Sequence, residues 1–429
     1  MQGEENQTNI RTEAIAGATT FLTMVYIVFV NPAILSTEGT GIKFSGALTA
    51  TVLVCFSMTL MMGLYAKLPF AVAPGMGLNA FFTFSIVLGQ KVAWQTALGI
   101  VFWGGVLFLI VSITPIRVTI AKAIPKNIRI AAAAGIGIFL TFIGLKNAGF
   151  IVSDPNNFVR FGDLNYVSLL TLSGILLTIF LLKKKSSLAF LSGIFFTTFL
   201  AWVFGWVKAP QQVFSYPDFK SVFFKLDIMG ALKLSLLPAI ISIMFTDLFD
   251  SISTFMGVSH AAELLDEEGH PKNLQQGLIV DSFATLSAGL FGSSPGTAYI
   301  ESVSGIEMGG RSGLTSVFTA LCFLPCLFIA PLAGMVPIYA TSGVLILVGV
   351  FMFRSVREIS FEHIEDSVPA FLTIILIPLT FSITQGILWG FVSHVALYVL
   401  AGRCKEVHPV MYALGIISIG LLWLEHGKF

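Results

Sequence analysis

Residues 312–353 read SGLTSVFTALCFLPCLFIAPLAGMVPIYATSGVLILVGVFMF, forty-two positions without one charged side chain or histidine. One bilayer crossing takes about 20 apolar residues, so this stretch holds two helices, with Pro331 and Pro337 at the corner between them. Ser186–Val207 is equally free of charge. Of the 429 residues, 55% are hydrophobic and 11% charged, where a soluble domain carries about 25% charged residues. There are too few polar side chains to cover an aqueous surface, so most of the outside faces lipid. No strand-length alternation of the barrel kind appears, and the helix is the other structure that satisfies its own backbone in a bilayer. The fold class is therefore all-α and polytopic.

Working outward, fourteen spans are expected, near 13–34, 46–66, 73–88, 93–114, 127–146, 166–182, 187–207, 233–257, 275–292, 295–307, 313–333, 337–354, 367–384 and 386–402. The apolar stretch 409–425 is left over as a surface, re-entrant or further spanning helix. The opening MQGEENQTNI is polar and acidic, without a basic n-region or a small-residue cleavage site, so the first apolar stretch is read as a retained helix. Arg117, Lys122, Lys126 and Arg129 follow span 4, and Lys183, Lys184 and Lys185 follow span 6. Arg311, Arg354, Arg357, Arg403 and Lys405 fall in later loops on the same side, whereas the loops near 334–336 and 384–386 carry no Lys or Arg. An N-terminus on the cytoplasmic side of the cell membrane makes this distribution positive-inside. The longer loop with Lys208, Lys220 and Lys225 departs from it.

The two halves of the chain resemble one another. Span 5, IAAAAGIGIFLTFIG, matches span 12, IYATSGVLILVGVFM, with Gly135 against Gly343. APGMGLNAFF matches SPGTAYIES, with Pro74-Gly75 against Pro295-Gly296. Seven spans per half is an odd number, so the second copy would insert upside down, as in many secondary transporters. Both matched segments make poor helices. Leu68–Gln90 contains Pro69, Pro74, Gly75 and Gly77, then Asn79; Gly292–Gly310 contains Gly292, Pro295, Gly296, Glu301 and Gly305. Proline lacks the amide donor, and glycine costs about 1 kcal/mol against alanine inside a helix. Short half-helices preceded by extended backbone are expected in spans 3 and 10. Such backbone is tolerated at membrane depth only inside protein or along a wet cavity, where its free polar groups can hold a ligand.

Span 8 supplies acids. In LPAIISIMFTDLFDSISTFMGV (237–258), Asp247, Asp250, Ser251 and Thr254 fall at i, i+3, i+4 and i+7, a polar stripe on an apolar helix. A charge at the bilayer centre costs roughly 2.5–3.5 kcal/mol on insertion scales, which points to function or a partner. Proton uptake by such a carboxyl near neutral pH follows, since no Lys or Arg within these spans offers a counter-charge. Glu301 is the other candidate acid. Two carboxyls and the Asn79 amide suit a flat heterocycle with alternating N–H, ring nitrogen and carbonyl groups.

The remaining polar groups are read as structural. The net charge of +1 points to no nucleic-acid partner, and Cys55, Cys322, Cys326 and Cys404 are read as packing residues. His260, Glu263, Asp266, Glu267, Glu268 and His270 form one solvated loop; Glu362, His363, Glu365 and Asp366 form another. Their spacing matches no metal site, and no cofactor is expected. His394 is read as a packing histidine.

Five motifs in order make the chain recognisable: EAIAGATTFLTMVYIVFVNPAIL, PFAVAPGMGLNAFF, FTDLFDSISTFMGV, YIESVSGIEMGGRSGLTSV and EDSVPAFLTIILIPLTFSITQGILWGF. Together, across residues 11–418, the chain resembles the AzgA-like purine permeases of the nucleobase–cation symporter (nucleobase/ascorbate transporter) superfamily. The resemblance implies a uracil-permease-type fold of two inverted seven-span repeats. It implies core segments at 1–115 and 233–335 and gate segments at 116–232 and 336–429. It further implies that Asp247 and Glu301 hold the base, that Asn79 and Gly77 line the same site, and that Asp250 also affects transport, with Asp247, Asp250 and Glu301 as the proton-coupling acids. The implied activity is import of a purine base with H⁺, Na⁺ being the other cation, and pairing of gate domains into a homodimer. Hypoxanthine or guanine is the favoured base and adenine the alternative. Relatives are Thr/Ser-rich before the E-S motif, where this chain reads GSSPGTAY with Pro295. Two rival readings are an anion exchanger of the same fold, disfavoured by a site with two acids, and a membrane-embedded acid hydrolase, for which no catalytic motif is present.

Overall fold

The computed structural model describes residues 9–114, 123–262, 264–265 and 271–426. Arg117, Lys122, Glu263, Asp266, Glu267, Glu268 and His270 lie outside the described residues. The helices run in chain order as α1 (Ile10–Met24), α2 (Ile27–Leu35), α3 (Phe44–Met61), α4 (Met76–Ala80), α5 (Trp94–Ile113), α6 (Lys126–Asn147), α7 (Tyr166–Lys183) and α8 (Ala189–Val203). The second half contributes α9 (Leu237–Ala262), α10 (Leu274–Phe291), α11 (Ser302–Glu307), α12 (Gly313–Phe323), α13 (Ile338–Phe353), α14 (Ile364–Thr380), α15 (Ile383–Leu400) and α16 (Pro409–His426). Four short strands accompany them: β1 (Val72–Pro74), β2 (Ile151–Asp154), β3 (Phe158–Phe161) and β4 (Gly296–Ala298).

Each of the fourteen expected segments coincides with one of these helices or with a strand and the helix that follows it. Among the described residues, eight helical stretches are long and apolar enough to cross a membrane, and four shorter ones are apolar. Several expected spans are interrupted locally. The first span divides between α1 and α2, where Thr23 back-bonds to Thr20 O at 2.8 Å just before Tyr26. In spans 3 and 10 the extended stretches occupy the first residues. Pro369 and Pro378 lie inside α14 and replace two of its donors. The leftover 409–425 stretch is a helix, α16, whose Leu421 and Leu422 pack with Leu388 of α15 and against Leu237 and Ile241 of α9.

The two halves meet element on equivalent element. β1 pairs antiparallel with β4, Ala73 opposite Thr297, so spans 3 and 10 cross at their extended ends. Spans 5 and 12, α6 and α13, also pack on each other and run antiparallel. A Cβ on Gly137 would meet Gly349 O at 2.7 Å and Met352 Cβ at 2.9 Å; one on Gly144 would meet Ser342 O at 2.9 Å. This is an inverted repeat whose pseudo-two-fold passes between its own broken spans. Small residues at the contact let the backbones approach, the usual means of helix association in lipid.

The long connection 204–236 is a strap fastened to spans 2 and 4 and to their repeat mates, spans 9 and 11. Ser215 N donates to Phe328 O (2.9 Å), Asp218 N to Thr49 Oγ1 (3.0 Å), Phe224 N to Leu290 O (2.8 Å) and Asp227 N to Gln95 O (2.9 Å). One loop expectation needs correcting. Glu365 is buried and Asp366 half-buried, and both lie in the first turn of α14 and not in a loop, Glu365 paired with Arg403 and Asp366 accepting from Tyr398 Oη at 2.9 Å. Arg403 follows α15 and turns back onto α14, a contact that adjacent charges in sequence do not reveal. His394 is buried against the Tyr398 ring at 4.4 Å, in line with a packing role.

The α6–α13 contact predicts a paired outcome. Gly137→Leu should cost about 1–3 kcal/mol or more through overpacking, seen as a lowered melting temperature in detergent. Gly420→Leu, on α16 with nothing within 4 Å of its added carbon, should melt like the parent.

Candidate functional site

The site is built from the β1–β4 crossing. Pro74 and Pro295 cannot donate, and each is followed by a glycine. Gly75 stays extended (φ −67°, ψ 129°) as the residue before α4, and its N–H reaches Pro295 O at 2.8 Å. The outer edges of this two-stranded ribbon are closed by side chains. Thr59 Oγ1 donates to Val72 O (3.0 Å) and accepts from Val72 N (2.9 Å), while Ser302 Oγ accepts from Ala71 N (3.0 Å). On the β4 side, Thr285 Oγ1 lies 3.1 Å from Gly296 O and Asp281 Oδ2 accepts from Ala298 N (3.1 Å). Tyr299 Oη donates to Pro74 O across the ribbon at 2.5 Å. A buried sheet edge in lipid must find such partners.

A cavity opens beside the ribbon, lined by Tyr26, Gly75, Gly77, Asp250, Thr254, Thr297, Tyr299 and Glu301, with Val348 and Met352 of α13 also on its wall. Tyr26 Oη donates to Glu301 Oε1 at 2.6 Å. A second cavity shares Gly77, Asp250 and Met352 and is also lined by Thr246 and Ser253 and by Arg129, Ala132 and Ala133 of α6. Gly77 is where α4 meets α6: a Cβ there would lie 2.5 Å from Ile136 Cγ2. The lining is mostly apolar with a few converging polar groups, as in ligand pockets generally.

The structure brings together three of the five residues singled out by sequence. Asp250, Glu301 and Gly77 line the cavities. Asp247 and Asn79 line neither. Asp247 is fully buried; its Oδ2 accepts from Thr285 Oγ1 of α10, and its Oδ1 has no partner. Asn79 is fully buried too, with Nδ2 3.9 Å from Met76 Sδ and Oδ1 without a partner. The stripe on α9 is therefore two rows. Asp250 and Thr254 face the cavity, while Asp247 and Ser251 face inward, Ser251 Oγ lying 3.4 Å from Thr297 Oγ1.

Sequence reading missed Asp281, Tyr26 and Tyr299. Asp281 is a lone acid in the apolar run of span 9, four residues before Thr285, and that i, i+4 pair was the available signal. Tyr26 carries no periodic cue; only the helix break places its ring against Glu301. None of Asp247, Asp250, Asp281 and Glu301 makes an ion pair among the described residues.

Three comparisons bear on this arrangement. The family model described as "Permease family" (Xan_ur_permease) matches residues 11–388. The adenine permease AdeP of Escherichia coli strain K12 is 42% identical, covering 97% of this chain and 93% of its own. The guanine/hypoxanthine permease PbuO of Bacillus subtilis strain 168 is 37% identical over 96% of this chain and 97% of its own. Among solved structures, the transmembrane domain of the cyanobacterial bicarbonate transporter BicA superposes with a TM-score of 0.65 at 18% identity, covering 91% of this chain and 98% of that one. At that identity it speaks for the fold alone, which it shares.

Asp281 generates a stability prediction. Asp281→Ala leaves the Ala298 amide buried without an acceptor, a loss of about 1–3 kcal/mol. Its melting temperature in detergent should fall, while Asp281→Asn, which keeps an acceptor oxygen, should stay closer to the parent.

Proposed function

The chain belongs to the xanthine/uracil permease family, a family of nucleobase permeases, and from that premise we propose that it imports a purine base together with a proton. The observation that carries this reading is the cavity into which two carboxyl-bearing residues from different spans of the second repeat, Asp250 and Glu301, both face, with Tyr26 and Gly77 of the first repeat on its other walls. A purine presents ring N–H donors to carboxylates and ring nitrogens to hydroxyl and amide donors, and Tyr26, Thr254 and the backbone of Gly75–Gly77 stand around the same space. Asp250 and Glu301 contact the base in this reading. Asp247 and Asn79 sit one layer behind, where Asp247 shares the β4 environment through Thr285 and Asn79 lies in the first turn of the half-helix.

The proton settles on one of Asp247, Asp250 and Glu301. With no cation paired to them, these acids are neutralised most simply by H⁺, and Na⁺ is the competing choice. Under the division into core (1–115, 233–335) and gate (116–232, 336–429), the cavity walls come from both bodies: α9 and the broken spans on one side, α6 and α13 on the other. The base and proton enter from outside, the core moves against the gate, and both leave to the cytoplasm, the side of the N-terminus. Differential closure around the base in the two states is what shifts the equilibrium. The membrane is the cell membrane, and the gate face serves a homodimer.

Hypoxanthine or guanine is the favoured base. Adenine is the second reading, supported by the 42% identity to a relative named as an adenine permease. Anion exchange, the activity suggested by the bicarbonate transporter's name, fits poorly with two acids in one cavity.

Uptake of radiolabelled hypoxanthine and adenine into cells lacking their own purine permeases decides between these. Uptake blocked by unlabelled guanine and collapsed by a protonophore, with sodium replacement without effect, is the expected outcome. Adenine-only competition moves the chain to the adenine reading, and competition by bicarbonate but not purines overturns the proposal. Asp247→Ala and Glu301→Ala should each reduce uptake at least tenfold at normal surface expression, and full transport by either removes that residue from the site.

A further inference from the structure

We infer that Arg129 is the counter-ion with which the emptied carrier returns: once base and proton have left, its guanidinium swings across the second cavity onto the ionised carboxylate of Asp250. This inference rests on the transport reading above and adds a residue that none of the motifs includes.

Asp250 and Glu301 line the first cavity, and Asp247 and Asp281 are sealed behind it, all without an ion pair among the described residues. A proton bound on Asp250 makes its carboxyl neutral, so the loaded site closes without burying charge. After release the proton is in cytoplasmic water and Asp250 is ionised. Closing the same walls around it would desolvate a lone carboxylate, which is strongly disfavoured unless a cation joins it.

Arg129 is the only Lys or Arg lining either cavity. It stands at the first turn of α6, and Asp250 is on α9, so the two occupy walls that the proposed motion brings together. Its Nε is buried without a hydrogen-bond partner, a donor held in reserve. The path is clear: Arg129, Ala132, Ala133 and Ile136 follow one another at i, i+3, i+4 and i+7 along the cavity-facing side of α6, and the two alanines leave room for a long side chain to lie over them. Thr246 and Ser253, on the Asp250 helix, line the same passage. A guanidinium cannot lose its proton here, and its planar fork matches a carboxylate with two parallel hydrogen bonds. The pair forms only when Asp250 is ionised, so it serves the carrier that has released its proton and not the loaded one.

Exchange of base for base never uses the empty return step, whereas net uptake requires it. The wild type, R129Q and R129K are therefore purified, checked for a monodisperse elution profile, and reconstituted into liposomes. Each is assayed with labelled adenine and hypoxanthine, once against trapped unlabelled base and once driven by an inward proton gradient alone. R129Q is expected to exchange within about twofold of wild type while its net uptake falls tenfold or more, and R129K is expected to restore most of the net uptake. Unimpaired net uptake by R129Q overturns the inference, as does a parallel fall in both assays, the mark of a structural role. Absence of both activities from the wild type overturns the transport reading, and this inference with it.

Discussion

Every backbone polar group inside a bilayer must find a partner within the protein, and two spans of this chain cannot do so alone. Pro74-Gly75 and Pro295-Gly296 stop the helical ladder in the middle of the molecule. Each broken span solves the other's difficulty by lending it a strand, and the hydroxyls of Thr59, Thr285 and Ser302 with the carboxylate of Asp281 close the two outer edges. The rest follows from that ribbon. It fixes the pseudo-two-fold, sets where α4 and α11 begin, and leaves Glu301 and Gly77 facing one space between them.

The same ribbon organises the charge. Four acids gather round it, and each described contact they make is a hydrogen bond from a hydroxyl or a backbone amide. Such donors orient a carboxyl without cancelling its charge, so protonation remains the cheapest way to neutralise it away from water. A site built with paired arginines would be insensitive to protons. Here the cation, Arg129, lines the neighbouring cavity together with one of the acids, Asp250.

Much of this was legible in the residues. The charge-free run at 312–353, the matched breaks at Pro74-Gly75 and Pro295-Gly296, and the motif order identified the membrane class, the broken spans and the family, because each rests on local chemistry or on long exact runs of sequence. Glu301, Asp250 and Gly77 were located for the same reason. The direction a side chain takes from its helix was not legible. Asp247 and Asp250 differ by three positions, and the packing of α10 turns one inward while the cavity receives the other. Asp281 escaped notice because one acid in an apolar run has no periodicity. Its meaning comes from Ala298, in another span. Glu365 was misread for a similar reason: its partner, Arg403, is brought to it by the fold of α14 on α15.

The strand exchange also orders events in time. Val72 waits for Ala298, more than two hundred residues later in the chain, and ribosomes add about 5–20 residues per second. For roughly ten seconds or more the first broken span must sit in or near the membrane with its ribbon amides unmet, a nascent intermediate whose completion depends on its inverted twin. Biogenesis of this protein is thus a wait for symmetry, and the insertion machinery has to shelter one half until the other arrives.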